Sequence, residues 1–389
     1  MKSKSLRNIA FFLHRYLGLV AALVLIIVGL TGSLLVFQHE IDEFLVSQQF
    51  GQVTPKGDAY GNPKRERLPI ESVLETVKTA YAKQPDIKIS SVNTLPDPHL
   101  PYRFWLQAPN DKYFQVLVNP YTGAIMGSRN WDETIIGWTF KLHYQLLAGE
   151  IGTIIVGIVA FMLLILSITG IVLWPGWRKL ISGFKIKWKA HPKRVNFDIH
   201  KVSGIVAVVF LTFIAFTGFC WNFYDFAKPA IHAATFTPII KDPVSKLIPG
   251  KSALKLSEIL QKADAALPGA ATTYISLPQK PEDVYTVGKK QPQETTEYGY
   301  SRVYLDQYTG KVLQLQNGLK PTRAEGVLNS FSPLHYGTFW GLPTRILYVF
   351  VGLSPLILSI TGFVMWWYRY KGKNRQQQTV TLIERLGKS

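Results

Sequence analysis

Four runs of this sequence, 9–37, 151–174, 204–221 and 346–367, carry almost no charge. A helix needs roughly 17–25 residues to cross the hydrocarbon core of a bilayer. A buried helix of a soluble protein is rarely apolar on every face for that length. The runs therefore read as four transmembrane helices. The first follows Lys2, Lys4 and Arg7 and resembles the start of a signal peptide. It is too long for a signal h-region and no small-residue cleavage pattern follows it, so it reads as a retained helix.

The charges between the runs set an orientation. Lys2, Lys4, Arg7 and Arg15 lead into the first run. The loop "WRKLISGFKIKWKAHPKRVNFDIHK" between the second and third holds eight Lys or Arg and one Asp, and the tail from Tyr368 is basic again. Positive charge stays on the cytoplasmic side, so both termini and this loop are expected there. Trp174, Trp177, Trp366 and Trp367 fit the interfacial aromatic belt of that side. The division that follows is 1–39, 143–177, 200–224 and 335–370 for the four helices with their ends, and 178–199 for the basic loop. It leaves 371–389 for a cytoplasmic tail and 40–142 and 225–334 for two large external segments. The net charge of +18 then reports topology and attraction to anionic lipid; no nucleic-acid-binding module is visible. Cys220, the single cysteine, excludes an intramolecular disulfide and a thiolate cluster and reads as a small apolar filler.

The chain repeats itself. "LILSITGIVLW" (164–174) returns as "LILSITGFVMW" (356–366). His143 precedes Thr169 by 26 residues, and His335 precedes Thr361 by 26; His14 precedes Thr31 by 17, and His200 precedes Thr217 by 17. The external segments match too. "LPIESVLETVKTAYAKQP" and "KLSEILQKADAALPG" each predict an amphipathic helix. "FQVLVNPYTGAIMG" and "SRVYLDQYTGKVLQL" each predict two strands around a turn whose Gly takes a positive φ. The expected fold class is an all-α four-transmembrane-helix bundle plus two small α+β external domains, with an internal two-fold repeat along the membrane normal.

That symmetry would face His14 with His200 near one membrane surface, and His143 with His335 near the other. Opposed neutral imidazoles in a helix bundle suit bis-histidine ligation of a b-type haem, and ionisable residues within a membrane are functional candidates. The alternative is that duplication alone preserves four structural histidines; spacing leaves both readings open. His39, at the outer end of the first helix, is an alternative outer ligand or a proton relay. His99, His191 and His232 read as solvated or structural, and no H-x3-H or HExxH spacing appears. The glycines of the helices, Gly18, Gly29, Gly32, Gly157, Gly170, Gly204, Gly218, Gly352 and Gly362, either make room for a macrocycle or serve close packing. An aromatic outer edge including Trp138, Phe140, Trp221, Phe223, Tyr224, Phe339 and Trp340 reads as a docking floor or an interfacial belt. If His143 and His335 share a helix with the tryptophans 31 residues later, about 46 Å of helix separates them at 1.5 Å per residue. That exceeds a hydrocarbon core of about 30 Å.

"HRYLGLVAALVLIIVGLTGSLLVF", "HKVSGIVAVVFLTFIAFTGF", the two "LHY" stretches and the two "SITG" stretches resemble the PepSY-associated transmembrane family. "VLVNPYTGAIMG" and "VYLDQYTGKVLQL" resemble its periplasmic PepSY modules. The resemblance implies a multi-pass inner-membrane protein of a Gram-negative bacterium with PepSY-like external domains in the periplasm. Some relatives are similar to dihaem ferric-siderophore reductases. This implies two haem b groups on His14, His200, His143 and His335, an oxidoreductase activity toward a ferric siderophore or other ferric chelate, and a role in iron uptake. The sequence holds no Rossmann fingerprint or P-loop, so the expected electron donor is a separate partner, quinol or a cytoplasmic reductase. Other members of the family imply the alternative, a membrane binding or regulatory module. A transporter fits less well, because the central turns of the four runs hold no Asp, Glu, Lys or Arg.

Overall fold

A computed structural model describes residues 2–54, 66–109 and 112–386. The chain opens with helices α1 (Lys2–Leu35), α2 (Gln38–Phe50) and α3 (Ile70–Tyr81), then strands β1 (Lys88–Asn93), β2 (Tyr102–Ala108), β3 (Lys112–Val118) and β4 (Ile125–Arg129). Helices α4 (Ile135–Gln145), α5 (Gly149–Leu173), α6 (Leu180–Phe184), α7 (Pro192–Asn222), α8 (Tyr224–Ala234) and α9 (Leu256–Ala266) follow. The last elements are β5 (Ala271–Ser276), β6 (Val284–Lys290), β7 (Ser301–Asp306), β8 (Val312–Gln316), α10 (Arg323–Tyr336) and α11 (Leu342–Leu386). Residues 387–389 of the expected tail lie outside the described residues.

Two compact units result. The first comprises Met1–Phe37, Thr139–Ala230 and Ser330–Ser389, and the second Gln38–Trp138 and Ile231–Asn329.

In the first unit, the stretches Lys4–Leu35, Gly149–Trp177, Pro192–Asn222 and Leu342–Lys371 are long and apolar enough to cross a membrane. Their outer faces expose Val20, Leu23, Ile168, Val206 and Phe350, an apolar surface suited to lipid. α1 and α7 each pack on both α5 and α11, so the four spans form a ring with α1 facing α7 across the diagonal. Small residues let neighbours close up: a Cβ on Gly29 of α1 would stand 2.5 Å from the Gly352 carbonyl of α11.

The third span begins before residue 200, inside what the sequence suggests is loop. His191 caps α7 by accepting from the Lys193 amide, and Pro192 occupies the first helical position, where its missing N–H costs nothing. His143 and His335 are not on the spanning helices either. After α4 the chain passes through Leu146 and Leu147, both at positive φ, and Gly149, and the second span starts afresh. After α10, Gly337 and Gly341 make the same interruption at positive φ.

The second unit is built on one antiparallel sheet in the order β4-β3-β2-β1-β5-β6-β7-β8. The sequence suggests two separate small domains; instead β1 pairs with β5 through Ser91↔Ser276, Val92↔Ile275 and Asn93↔Tyr274, and both halves share a sheet. Alternate burial along β2 sends Tyr102, Phe104 and Leu106 to one face. There Val73, Leu74 and Val77 of α3 and Leu256, Ile259 and Ala263 of α9 cover them. The β3–β4 and β7–β8 turns use one device. Asn119 Oδ1 accepts from the Tyr121 and Thr122 amides, and Asp306 Oδ1 from those of Tyr308 and Thr309. Gly123 and Gly310 then take the expected positive φ.

Candidate functional site

Each span carries a Thr-Gly pair, and each pair holds one histidine. Nδ1 of His14 lies 3.0 Å from Thr169 Oγ1 on α5, and Nδ1 of His143 lies 3.0 Å from Thr31 Oγ1 on α1. Nδ1 of His200 lies 2.8 Å from Thr361 Oγ1 on α11, and Nδ1 of His335 lies 2.7 Å from Thr217 Oγ1 on α7. The four threonine hydroxyls donate to the carbonyls of Ile165, Ile27, Ile357 and Phe213, one turn back in each helix. A hydroxyl has one proton to give. It therefore accepts from the ring, and Nδ1 carries the hydrogen. Each imidazole is left with Nε2 unprotonated, its lone pair directed away from the threonine; this is how a second partner fixes a metal-binding histidine.

The next residue in each motif shapes the seat. A Cβ on Gly32, Gly170, Gly218 or Gly362 would stand 3.0, 3.3, 3.4 or 3.6 Å from Cε1 of His143, His14, His335 or His200. Any side chain at Gly32 displaces the His143 ring. The sequence presents Thr-Gly only as a landmark at fixed spacing; that Thr orients the ring and Gly seats it appears only when the helices pack. Recurrence in all four spans was the available signal.

The rings meet in two pairs. His14 and His200 have centroids 6.1 Å apart at an interplanar angle of 85°, and His143 and His335 have centroids 6.1 Å apart at 82°. One metal ion between two opposed imidazole nitrogens, at about 2.0–2.1 Å from each, requires centroids roughly 6 Å apart. Among the described residues no group of three or more His, Cys, Asp or Glu can hold a metal ion. Two protein ligands suit a metal that brings its remaining ligands with it, as the iron of a haem does. A cavity of about 480 Å³ adjoins His14 and His200, with Gly18, Gly204, Leu166 and Leu358 among its walls. That volume is within the usual range for cofactor sites.

The broken helices also correct the depth expected of the second pair. His143 sits against Thr31 and Gly32, and His14 lies 17 residues earlier on the same helix α1. The two levels are thus roughly 25 Å apart at 1.5 Å per residue, and both fit within a hydrocarbon core of about 30 Å. The span of about 46 Å assumed unbroken helices, and Leu146, Leu147 and Gly337 remove that assumption.

His39 joins neither pair. Its Nε2 is 3.5 Å from Glu297 Oε2, and its ring neighbours Tyr298. Burial raises the nearby Glu43 carboxyl to about 7; Glu297, Asp97 and Glu40 push the same way against the Arg103 charge. Burial and Glu297 push the Tyr298 hydroxyl up to about 12. His191 serves as a helix cap, and the His232 ring faces the carbonyls of Thr237 and Pro238. Cys220 is buried and free. Of the expected aromatic edge, Trp221 packs on the His335 ring at 4.8 Å and on Tyr336 at 5.7 Å, while Trp340 is exposed.

A search of curated proteins finds no match. The family described as the PepSY-associated TM region matches residues 11–369, which include all four paired histidines and all four Thr-Gly motifs. The chain is a membrane protein and belongs to the PepSY-associated transmembrane family.

Proposed function

We propose that this protein is a dihaem b-type oxidoreductase of the bacterial inner membrane that reduces a ferric chelate, such as a ferric siderophore, on the periplasmic side. One observation carries the reading: two histidine pairs with ring centroids 6.1 Å apart, every Nδ1 tied to a threonine. A haem bound at each pair supplies a one-electron Fe(III)/Fe(II) couple. The chain's own part is to keep Nε2 unprotonated and to hold the rings opposed. The glycine seats leave room, and the apolar faces of the spans exclude water. The two levels, roughly 25 Å apart, leave one pair near each membrane surface. Electrons arrive from a separate donor, quinol or a cytoplasmic reductase. The substrate is iron(III) in a hard-oxygen chelate, and as iron(II) it is held less well and leaves. The basic flanks orient the chain with both termini in the cytoplasm.

The same reading makes the chain an internal duplication with two PepSY-like modules. In its favour are the palindromic strand order, the paired Asx turns at Asn119 and Asp306 and the reciprocal His–Thr bonds. A binding or regulatory role has one observation of its own. An open depression of about 420 Å³ on the sheet is lined by Ser91, Asn93, Trp105, Tyr113, Tyr274 and Tyr298 among others.

The deciding measurement is a reduced-minus-oxidised spectrum of purified protein. Two b-type haems per chain are expected, falling to one in His335→Ala and to one in His14→Ala. A haem-replete preparation without a Soret band ends the redox reading in favour of the binding module.

A further inference from the structure

The cavity beside His14 and His200 is mostly apolar, and four cations line it: Arg7 and Arg15 of α1, Lys201 of α7 and Arg369 of α11. Among the described residues none of the three arginines has a carboxylate partner. Arg15 Nε is buried with no hydrogen-bond acceptor, and a buried charged donor left unmet is costly. Arg15 and Arg369 also share one ring: their guanidinium carbons lie 5.6 and 4.6 Å from the Phe11 centroid. Phe11 thus carries two cations at the cavity's edge, Arg15 half-buried and Arg369 exposed, and an anion bound there would be attracted to both.

The other half of the bundle makes the contrast. Lys201 follows His200 as Arg15 follows His14, and it lines the same cavity. Its Nζ is 2.7 Å from Asp198 Oδ1 and 2.8 Å from the Ser182 carbonyl, and Asp198 is fully buried. The position corresponding to Asp198, two residues before His14, is Phe12. One half thus supplies its own counter-ion, while in the other Arg15 Nη2 donates to the neutral Tyr16 hydroxyl at 2.6 Å and, among the described residues, no carboxylate balances its charge. A need to mark the cytoplasmic side explains exposed arginines, but not a buried, unmet Nε on a residue that lines a cofactor-sized space.

We propose that Arg15 and Arg369, assisted by Arg7, bind the paired carboxylates of the macrocycle held by His14 and His200, so that its carboxylate edge faces the α1/α11 corner. Charge-assisted guanidinium–carboxylate bonds are the strong, often bidentate kind. This rests on the haem reading above.

The test uses the full-length chain, produced under haem limitation and placed in phosphatidylcholine nanodiscs. Haem and haem dimethyl ester are titrated against the Soret band, with the His14→Ala chain giving the contribution of the other pair. Arg15→Gln/Arg369→Gln is expected to bind haem about 10- to 100-fold more weakly at the inner pair, a range set by losing hydrogen bonds to charged groups. The wild type should bind the ester as weakly as the variant binds haem, and the variant should treat acid and ester alike. Arg15→Lys/Arg369→Lys, which keeps both charges, should recover part of the loss. Equal haem affinity in the glutamine variant and the wild type overturns the proposal. So does an acid–ester difference that persists in the variant. If the arginines hold a lipid phosphate, discs with anionic lipid will show the variant losing bound lipid while its haem titration is unchanged, which also overturns it. If neither compound shifts the Soret band in any chain, the haem reading itself falls.

Discussion

Threonine and glycine divide the work at each histidine. The hydroxyl sets which nitrogen carries the proton, and the missing side chain sets where the ring can lie. Thr217→Val keeps the shape and removes the acceptor from His335 Nδ1. Losing such a second partner typically lowers metal affinity about 10- to 100-fold, so on the proposed reading the outer haem should be lost first in a titration of haem content against detergent. Gly32→Val should act by bulk, because its Cβ alone would stand 3.0 Å from His143 Cε1. On the same proposed reading the expected result is one haem per chain by pyridine haemochrome, with the His14–His200 signal retained. The other glycines divide by neighbour. Gly29 and Gly352 face each other's helices and serve close packing, whereas Gly32, Gly170, Gly218 and Gly362 face histidine rings.

At the scale of elements, two joints matter. The interruptions at Leu146–Gly149 and Gly337–Gly341 let α4 and α10 reach in beside α1 and α7, which an unbroken helix cannot do. In the other unit, α2 is fastened to the sheet by charge. Asp42 Oδ2 accepts from Arg103 Nη1 and Arg129 Nη2 at 2.7 Å each, and Asp42 and Arg129 side chains are both 6% exposed. Asp42→Ala leaves Arg129 buried with the neutral Gln115 as its remaining partner and without a counter-charge, and should destabilise this unit by about 3–5 kcal/mol, read from its thermal or urea transition. Glu43, one residue on, gives α2 a pH dependence. Its carboxyl rises from 4.5 to about 7 in the folded chain, so the folded state binds this proton more tightly than the unfolded state does. The stabilisation is full below about pH 4.5 and is lost as pH rises through about 7. Melting temperature should therefore fall between pH 5 and pH 8 in the wild type, and fall less in Glu43→Gln.

Among the described residues, eight strands join across the β1–β5 seam and four spans close into a ring, each drawing equally on both halves of the chain. The seam pair Val92 and Ile275 is completely buried, so Ile275→Asp should unfold both halves of the sheet in one transition rather than detach one. Limited proteolysis that releases a stable first half would count against a single shared sheet. Under the proposed function, the two histidine levels are unlike in their surroundings. One has arginines at its cavity, and the other has Trp221 and Tyr336 against its ring. A redox titration should accordingly resolve two one-electron steps, and Arg15→Gln/Arg369→Gln should lower only one midpoint, since removing nearby positive charge favours Fe(III).

The four spans, the amphipathic α3 and α9 and the two tight turns were legible because each rests on local chemistry: run length, a 3.6-residue period, a glycine at positive φ. The histidine spacings were legible as a pattern because the same intervals, 26 and 17 residues, each recur in the sequence. Their meaning was not. Which threonine meets which histidine, the depth that the breaks after Gln145 and Tyr336 give His143 and His335, and the Arg15–Arg369 corner all depend on contacts between residues distant in the chain. The same holds for the merging of two expected domains into one sheet. Sequence by itself determined the parts and their order; only tertiary packing decided the partners, because a hydrogen bond or an unmet charge depends on what another helix places beside it.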